Sequence, residues 1–136
     1  MAKMTERMKT LFNQQKVVVL ATADPDGVPN AVPVGAKEII DDETILISDQ
    51  YFNKTLANLK ANPTAAVTVW EGHEGYQFKG RISIETEGER YDRVARWVAE
   101  KGEKAGRQLR SKGIVLLHIE AIYGVSPGPN AGAKLA

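Results

Sequence analysis

The stretch SDQYFNKTLANLKANP, residues 48–63, contains the end of a predicted strand, a short polar loop and a short predicted helix. The helix is indicated by Leu56 and Leu59, which share one face, and by Asn62-Pro63, which ends it. A helix start leaves backbone N–H groups unpaired and carries the positive end of the helix dipole. Here that start, Asn53-Lys54-Thr55, adds a cation and a hydroxyl, and together these groups suit a phosphate.

The same three residues also fit a plain helix start, which is their more common role. In that interpretation Asn53 is the N-cap, and Lys54 and Thr55 are solvated. The segment lacks the pattern GxxxxGK[ST], so a nucleotide-binding P-loop is not supported. The flanking sequence therefore has to decide between the two interpretations.

The composition limits the class of protein. A chain of 136 residues fits one domain, 1–136, with one core. Its 18 basic and 17 acidic residues leave a net charge of +1, so we expect neither a nucleic acid nor a membrane as a partner. The chain has no cysteine, no export signal and no apolar run longer than a strand, which predicts a cytoplasmic protein.

The segments before residue 48 predict a helix followed by a β-hairpin. A helix is expected over about residues 4–15, and a β-branched strand over residues 17–23. Asp24-Pro25-Asp26-Gly27 is a turn signal. The next strand, 28–40, contains Pro29 and Pro33, which cannot donate to a ladder. This strand must therefore lie at an edge or face something other than a neighbouring strand.

The segments after residue 63 predict more strands and one further helical region. Strands are expected at 65–70, 76–85 and 114–125, and the region 86–110 has helical periodicity that we expect Gly102 and Gly106 to divide in two. The tail, about 126–136, is expected to be extended surface or a clasp on a partner. About six strands joined mostly by short turns, with three helical inserts, favour a mainly antiparallel barrel.

As an ordered set, three of these segments resemble a known family. VVVLATADPDGVPNAVPVGAKEI, ILISDQYFNKTLANLKANPTAAVTV and YQFKGRISIE are similar to the split-barrel flavin-binding proteins related to pyridoxamine 5'-phosphate oxidase. The similarity covers roughly residues 12–125. It implies a mainly β fold, a six-stranded antiparallel split β-barrel with helical inserts, which forms a homodimer with FMN at the subunit interface.

The resemblance also implies the cofactor-binding residues. The phosphate is expected at Asn53, Lys54 and Thr55, with Ser48 and Asp49 close to the ribityl chain. The flavin ring is expected on the backbone of the second strand, at Val32, Pro33 and Val34. Gln77 and Lys79, on the strand predicted at 76–85, are expected to face the site from the barrel wall or across the dimer.

Other residues carry weaker signals. Lys37, Lys79 or Arg81 would supply positive charge near a reduced flavin, although an outward, solvated position is the preferred interpretation of Arg81. His73 and His118 are in no metal-binding spacing, so we expect no metal site. No residue is assigned a catalytic role.

The function implied by the resemblance is an FMN-binding flavoprotein, an oxidoreductase or electron carrier with a small-molecule redox partner. One alternative is a deazaflavin-dependent reductase, because related split barrels share the LATxxPDGxPxxVPV opening. The other is a non-enzymatic module that binds flavin or haem. The basic residues that bind substrate phosphate in pyridoxamine 5'-phosphate oxidase are not found near the C-terminus, so that activity is not expected.

Overall fold

The computed structural model describes all residues from Met1 to Ala136 and contains one antiparallel sheet with three helices. The helices are α1 Glu6–Gln14, α2 Lys54–Ala61 and α3 Glu89–Lys104. The strands are β1 Val18–Ala23, β2 Pro29–Val34, β3 Lys37–Asp41, β4 Thr44–Asp49, β5 Thr64–Glu71, β6 Glu74–Glu85 and β7 Gly113–Gly124. No helix is both long and apolar enough to cross a bilayer.

The strand order, β2-β1-β5-β6-β7-β4-β3, places two consecutive strands at opposite edges of the sheet. Only Gly35 and Ala36 join β2 to β3, and this link spans at most about 11 Å. The two edges must therefore come together, and the sheet curls into a split barrel. The predicted fold class is confirmed. The strand count is seven rather than six because residues 28–40 form two strands that lie on opposite edges.

The barrel interior is filled by alternate residues of the strands and by the apolar face of α1. Phe78 is fully buried in it, together with Val18 and Leu20 of β1 and Val67 and Val69 of β5. The helix predicted over residues 4–15 is confirmed, and it contributes Met8, Leu11 and Phe12 to this core. Thr5 caps it by accepting a hydrogen bond from the Met8 N–H at 3.2 Å. Because α1 packs against β5 and β3, it covers the interior.

A second, smaller core lies between α3 and the outer face of β4 and β7. Val94 and Val98 of α3 are buried there with Leu46, Ile114 and Leu116. Every residue of β4 is therefore buried, because the barrel core covers one face and α3 covers the other. This position gives the end of β4, at Ser48 and Asp49, a fixed location.

Two predictions about the C-terminal third need correction. Gly102 does not break the helix: it lies within α3, buried against the backbone of Arg107, and α3 ends before Gly106, which has a φ of +69°. The tail is exposed, as predicted, but it also folds back along β7. The Leu135 N–H donates to the Ile122 carbonyl at 2.7 Å, so the tail is held by its own sheet.

Candidate functional site

A cavity of about 400 Å³ lies between the edge strand β2 and the start of α2. We call it the β2–α2 cavity. Its lining comes from the end of β2 and the β2–β3 link, from the end of β4, and from the loop that leads into α2. The lining residues are Val32, Pro33, Val34, Gly35, Ala36, Ser48, Gln50, Tyr51, Phe52, Asn53, Lys54 and Thr55.

The β2 side of the cavity is an open strand edge. Only β1 pairs with β2, so one side of the β2 backbone has no neighbouring strand. Pro33, which lacks an N–H, lies in this strand opposite Val19 of β1. The edge position predicted from the two prolines is confirmed. The backbone of Val32 to Val34 is therefore free to lie against a planar molecule.

The α2 side of the cavity is a helix start without a side-chain cap. Asn53 occupies the N-cap position, but its side chain makes no hydrogen bond to the helix. The first N–H groups of α2 are therefore available to a ligand. Lys54 is exposed and is the only charged residue in the lining. This side of the cavity has the positive potential that an anion requires.

The helix start is held in place by a polar cluster that sequence reasoning missed. Thr55 is 3% exposed, and its Oγ1 accepts a hydrogen bond from Asn30 Nδ2 at 3.0 Å. Asn30 also donates to Thr22 Oγ1, which accepts a second hydrogen bond from Asn58 Nδ2, both at 3.1 Å. Because Thr55 accepts from Asn30, its hydroxyl proton remains available to a ligand.

Asp49 does not line the cavity, although it was predicted to bind the cofactor. It is 3% exposed, and its Oδ1 accepts a hydrogen bond from the Phe52 N–H at 2.9 Å. Lys112 Nζ lies 3.6 Å from the same carboxylate and donates to the Phe52 carbonyl at 2.6 Å. Within this chain the Asp49 carboxylate therefore helps to shape the loop that carries Gln50 to Asn53.

Gln77 and Lys79 also lie outside the β2–α2 cavity. Strand pairing places Gln77 in a row across the outer face of the sheet, which we call the outer row: Pro33, Val19, Thr68, Gln77 and Tyr123. Gln77 is thus three strands from Pro33, a separation of about 14 Å. Lys79 lies two residues further along β6, 5.2 Å from the centre of the Tyr123 ring. Within one chain neither residue reaches the cavity.

The other cations considered are engaged elsewhere. Lys37 Nζ donates to the Phe12 carbonyl at 2.8 Å and lies 4.4 Å from the centre of the Phe12 ring, and its burial lowers the pKa of this amine. This lysine therefore fastens the end of α1 to β3. Arg81 is exposed and lies 3.5 Å from Glu120, which agrees with the solvated position preferred for it.

Five lining residues were not predicted: Gly35, Ala36, Gln50, Tyr51 and Phe52. The first two form the short link between the sheet edges, and the other three form the loop before α2. Both segments adjoin residues that were predicted, so extending each predicted segment by its neighbours would have found them. Tyr51 carries the clearest signal, because it is a large aromatic side chain that remains 72% exposed.

A comparison of the sequence with family models assigns the chain to a family. The model described as pyridoxamine 5'-phosphate oxidase matches residues 4–126. The chain belongs to this family. An uncharacterized protein of Methanocaldococcus jannaschii is 39% identical to the chain and aligns with 98% of it and with 89% of the relative.

Three solved structures share the architecture. HupZ of Group A Streptococcus is 30% identical with a TM-score of 0.79, covering 95% of this chain and 99% of HupZ. An FMN-binding protein from Syntrophomonas wolfei has a TM-score of 0.76 at 24% identity, covering 88% and 84% of the two chains. HutZ, the haem storage protein of Vibrio cholerae, has a TM-score of 0.66 at 18% identity, covering 90% and 94%. The last two show the fold alone.

Proposed function

We propose that this chain binds FMN in the β2–α2 cavity and acts as a flavin-dependent oxidoreductase or electron carrier. The observation that carries the proposal is the pairing, in one cavity, of an open strand backbone with an uncapped helix start. The first suits a planar ring and the second suits a phosphate. The volume of about 400 Å³ is within the range of small-molecule sites.

The residues present fit FMN in a single orientation. The phosphate, with close to two negative charges, would be held by Lys54, the Thr55 hydroxyl and the N–H groups at the start of α2. The flavin ring would lie against the backbone of Val32 to Val34. Since Lys54 is the only charged lining residue, reversing the ligand would leave the phosphate without a cation.

When bound, the flavin supplies the electron or hydride transfer, and the chain supplies position and surroundings. The cavity lining contains no aspartate, glutamate, histidine or cysteine, so it offers no carboxylate or imidazole as a general acid or base. The chain therefore binds and orients the ring, leaving one side for a small-molecule redox partner. A redox protein whose chemistry resides in its cofactor is the function that this lining supports best.

A homodimer is part of the proposal. Beside the outer row lies a second row of small residues, Ala31, Ala21, Ala66 and Ala121, which also includes Lys79. An outer sheet face that meets only water is usually polar, whereas this face is mostly small and apolar. A second copy of the chain would cover it and bring Gln77 and Lys79 toward the partner's cavity.

Haem and deazaflavin are the alternatives, and an absorbance scan of the purified protein separates all three. Haem ligation usually needs a histidine, cysteine, methionine or tyrosine. Of these residue types the cavity lining contains only Tyr51. His73 lies in the β5–β6 turn and His118 Nε2 is hydrogen-bonded to Ser83 Oγ at 2.8 Å, and neither histidine lines the cavity. We expect flavin absorbance bands. A Soret band would show that the ligand is haem, and a deazaflavin band would show that it is a deazaflavin. Either result would reject FMN as the ligand.

The phosphate assignment is tested by titration of apoprotein with FMN. Replacing Lys54 and Thr55 together by alanine should weaken FMN binding by about 3 kcal/mol or more, because hydrogen bonds to a charged group contribute ~1.5–3 kcal/mol each. Riboflavin, which lacks the phosphate, should bind the variant as it binds the unaltered protein. The quenching of flavin fluorescence measures both affinities.

Lys60→Ala is the matched control, because Lys60 is an exposed lysine at the other end of the same helix. It should leave FMN affinity unchanged. If the double variant kept full FMN affinity, the phosphate would not lie at the start of α2, and the proposed orientation would be rejected.

A further inference from the structure

A buried chain of two serine hydroxyls ends at the wall of the β2–α2 cavity. Ser48 lines the cavity and is 4% exposed, and Ser111, just before β7, is 1% exposed. Ser48 Oγ lies 2.8 Å from Ser111 Oγ, which lies 3.0 Å from the Gly113 carbonyl oxygen.

The far end of the chain fixes the direction of both hydrogen bonds. A carbonyl oxygen only accepts, so the single proton of Ser111 Oγ is donated to Gly113. The proton between the two serines must then come from Ser48. With its proton committed to Ser111, Ser48 Oγ has only lone pairs to offer a ligand.

Ser111 is held in place by its neighbours. Its carbonyl accepts a hydrogen bond from the Tyr91 hydroxyl at 2.9 Å, which connects it to α3. The next residue, Lys112, donates its N–H to the Asp49 carbonyl at 2.7 Å, which connects it to β4. Ser111 therefore stays within reach of Ser48.

The β2–α2 cavity is consequently polarised. Lys54, the Thr55 hydroxyl and the uncapped N–H groups at the start of α2 are donors. Ser48 is an acceptor. It lies six residues before Lys54, and its N–H donates to the Ala36 carbonyl at 2.9 Å. A ligand that matches this pattern has an anion at the start of α2 and a proton donor at the point where it passes Ser48.

We propose that Ser48 accepts a hydrogen bond from a hydroxyl of the bound ligand, and that Ser111 is the positioning residue that keeps Ser48 an acceptor. The inference rests on the proposed function, because in FMN the hydroxyls of the ribityl chain lie between the ring and the phosphate. It adds that the cavity distinguishes a hydroxyl from a carbonyl at one position of that chain.

The test uses FMN and a series of analogues in which each ribityl hydroxyl in turn is replaced by a ketone. A ketone keeps the oxygen but lacks the proton, so at the matching position two acceptors would face each other. The unaltered protein should bind one of these analogues about tenfold or more weaker than FMN, as expected when a buried acceptor loses its donor. Isothermal calorimetry or fluorescence quenching gives the ratio of dissociation constants.

Two variants separate positioning from mere structure. In Ser111→Ala the Ser48 proton is released and can be donated to the ketone, so the tenfold ratio should fall to near one. Ser48→Ala removes the acceptor and should also abolish the ratio, and it serves if Ser111→Ala does not fold. Ser83→Ala is the control, because Ser83 lies on β6 outside the cavity lining and is hydrogen-bonded to His118 of β7. This variant should keep the tenfold ratio of dissociation constants.

The outcomes are distinct. FMN binding without discrimination against any ketone analogue, or discrimination that survives Ser48→Ala, would overturn this inference and leave the proposed function in place. Failure of the unaltered protein to bind FMN at all would overturn the proposed function, and this inference with it.

Discussion

Gly80 is the single residue on which the packing of β6 against β7 depends most directly. Lys79 pairs with Ala121 and Gly80 with Ile119, so Glu120 is the extra residue of a β-bulge. A Cβ at Gly80 would overlap the His118 carbonyl oxygen and come within 2.8 Å of its carbon. Backbone atoms in a central pair of strands cannot move aside cheaply. We therefore expect Gly80→Ala to lower the free energy of unfolding by about 2–3 kcal/mol, measured by urea denaturation.

Gly124→Ala is the control for that change. The nearest atom to its added Cβ would be Leu135 Cδ1 at 3.4 Å, the end of a flexible and half-exposed side chain. This substitution should change the free energy of unfolding by less than about 0.5 kcal/mol. Equal effects of the two substitutions would show that the bulge at Gly80 tolerates a side chain.

At the same scale, the candidate site shows which residues a sequence can identify. Lys54 and Thr55 were predicted because they are adjacent in a helix start. Asn30, which orients Thr55, was not, because the two are 25 residues apart and meet only through the fold. Asp49 is predicted together with its neighbour Ser48, but only Ser48 lines the cavity, because the Asp49 carboxylate accepts a hydrogen bond from the Phe52 N–H. Side-chain direction at a strand end is not encoded locally.

At the scale of elements, α1 is fastened to the β5–β6 hairpin by one carboxylate. Arg7 of α1 donates from Nε to Glu74 Oε2 at 2.9 Å, and the Tyr76 hydroxyl donates to the same oxygen at 2.7 Å. The hydrogen bond from Arg7 is the largest cause, and that from Tyr76 the next, of a lowering of the Glu74 pKa from 4.5 to about 2. The folded protein therefore stabilises the ionised form of the Glu74 carboxyl group.

This pKa shift predicts how stability depends on pH. Because the folded-state pKa is depressed, the contribution of Glu74 is fully present above about pH 4.5 and is lost as the pH falls through about 2. Glu74→Gln should make the decline of stability between these pH values shallower, as measured by urea midpoints at a series of acidic pH values. Glu87→Gln, at an exposed residue with no ion pair, should leave the decline unchanged. An identical pH profile for Glu74→Gln and the unaltered protein would contradict the pKa shift.

The elements also show where sequence periodicity succeeds and where it fails. The strand predicted at 76–85 and the helix predicted at 4–15 are found as β6 and α1, because a periodic pattern of apolar residues reports which face meets the core. The division of residues 28–40 into two strands was not predicted. Gly35 and Ala36 join β2 and β3 at opposite edges of the sheet, and that arrangement depends on how the whole sheet curls. Gly102 does not act as the predicted helix breaker, because its small size lets the Arg107 backbone approach α3.

At the scale of the whole molecule, the distance between the β2–α2 cavity and Lys79 makes the dimer testable. The outer row separates Gln77 from Pro33 by about 14 Å within one chain. In the proposed homodimer, Lys79 would therefore serve the cavity of the partner subunit rather than its own. Each FMN site would combine Lys54 of one chain with Lys79 of the other. Sedimentation velocity should first show a species of twice the chain mass.

Mixed dimers then decide between the two arrangements. Lys54→Ala and Lys79→Ala should each weaken FMN binding at both sites of their own homodimers. A dimer with one chain of each kind should carry both defects in one site and none in the other, so it should bind one FMN per dimer with the full affinity of the unaltered protein. Calorimetric titration of dimers purified with two different affinity tags measures this stoichiometry.

If Lys79 acted within its own chain, both sites of the mixed dimer would be defective, and no full-affinity site would appear. If Lys79→Ala homodimers bound FMN normally, Lys79 would have no part in the site.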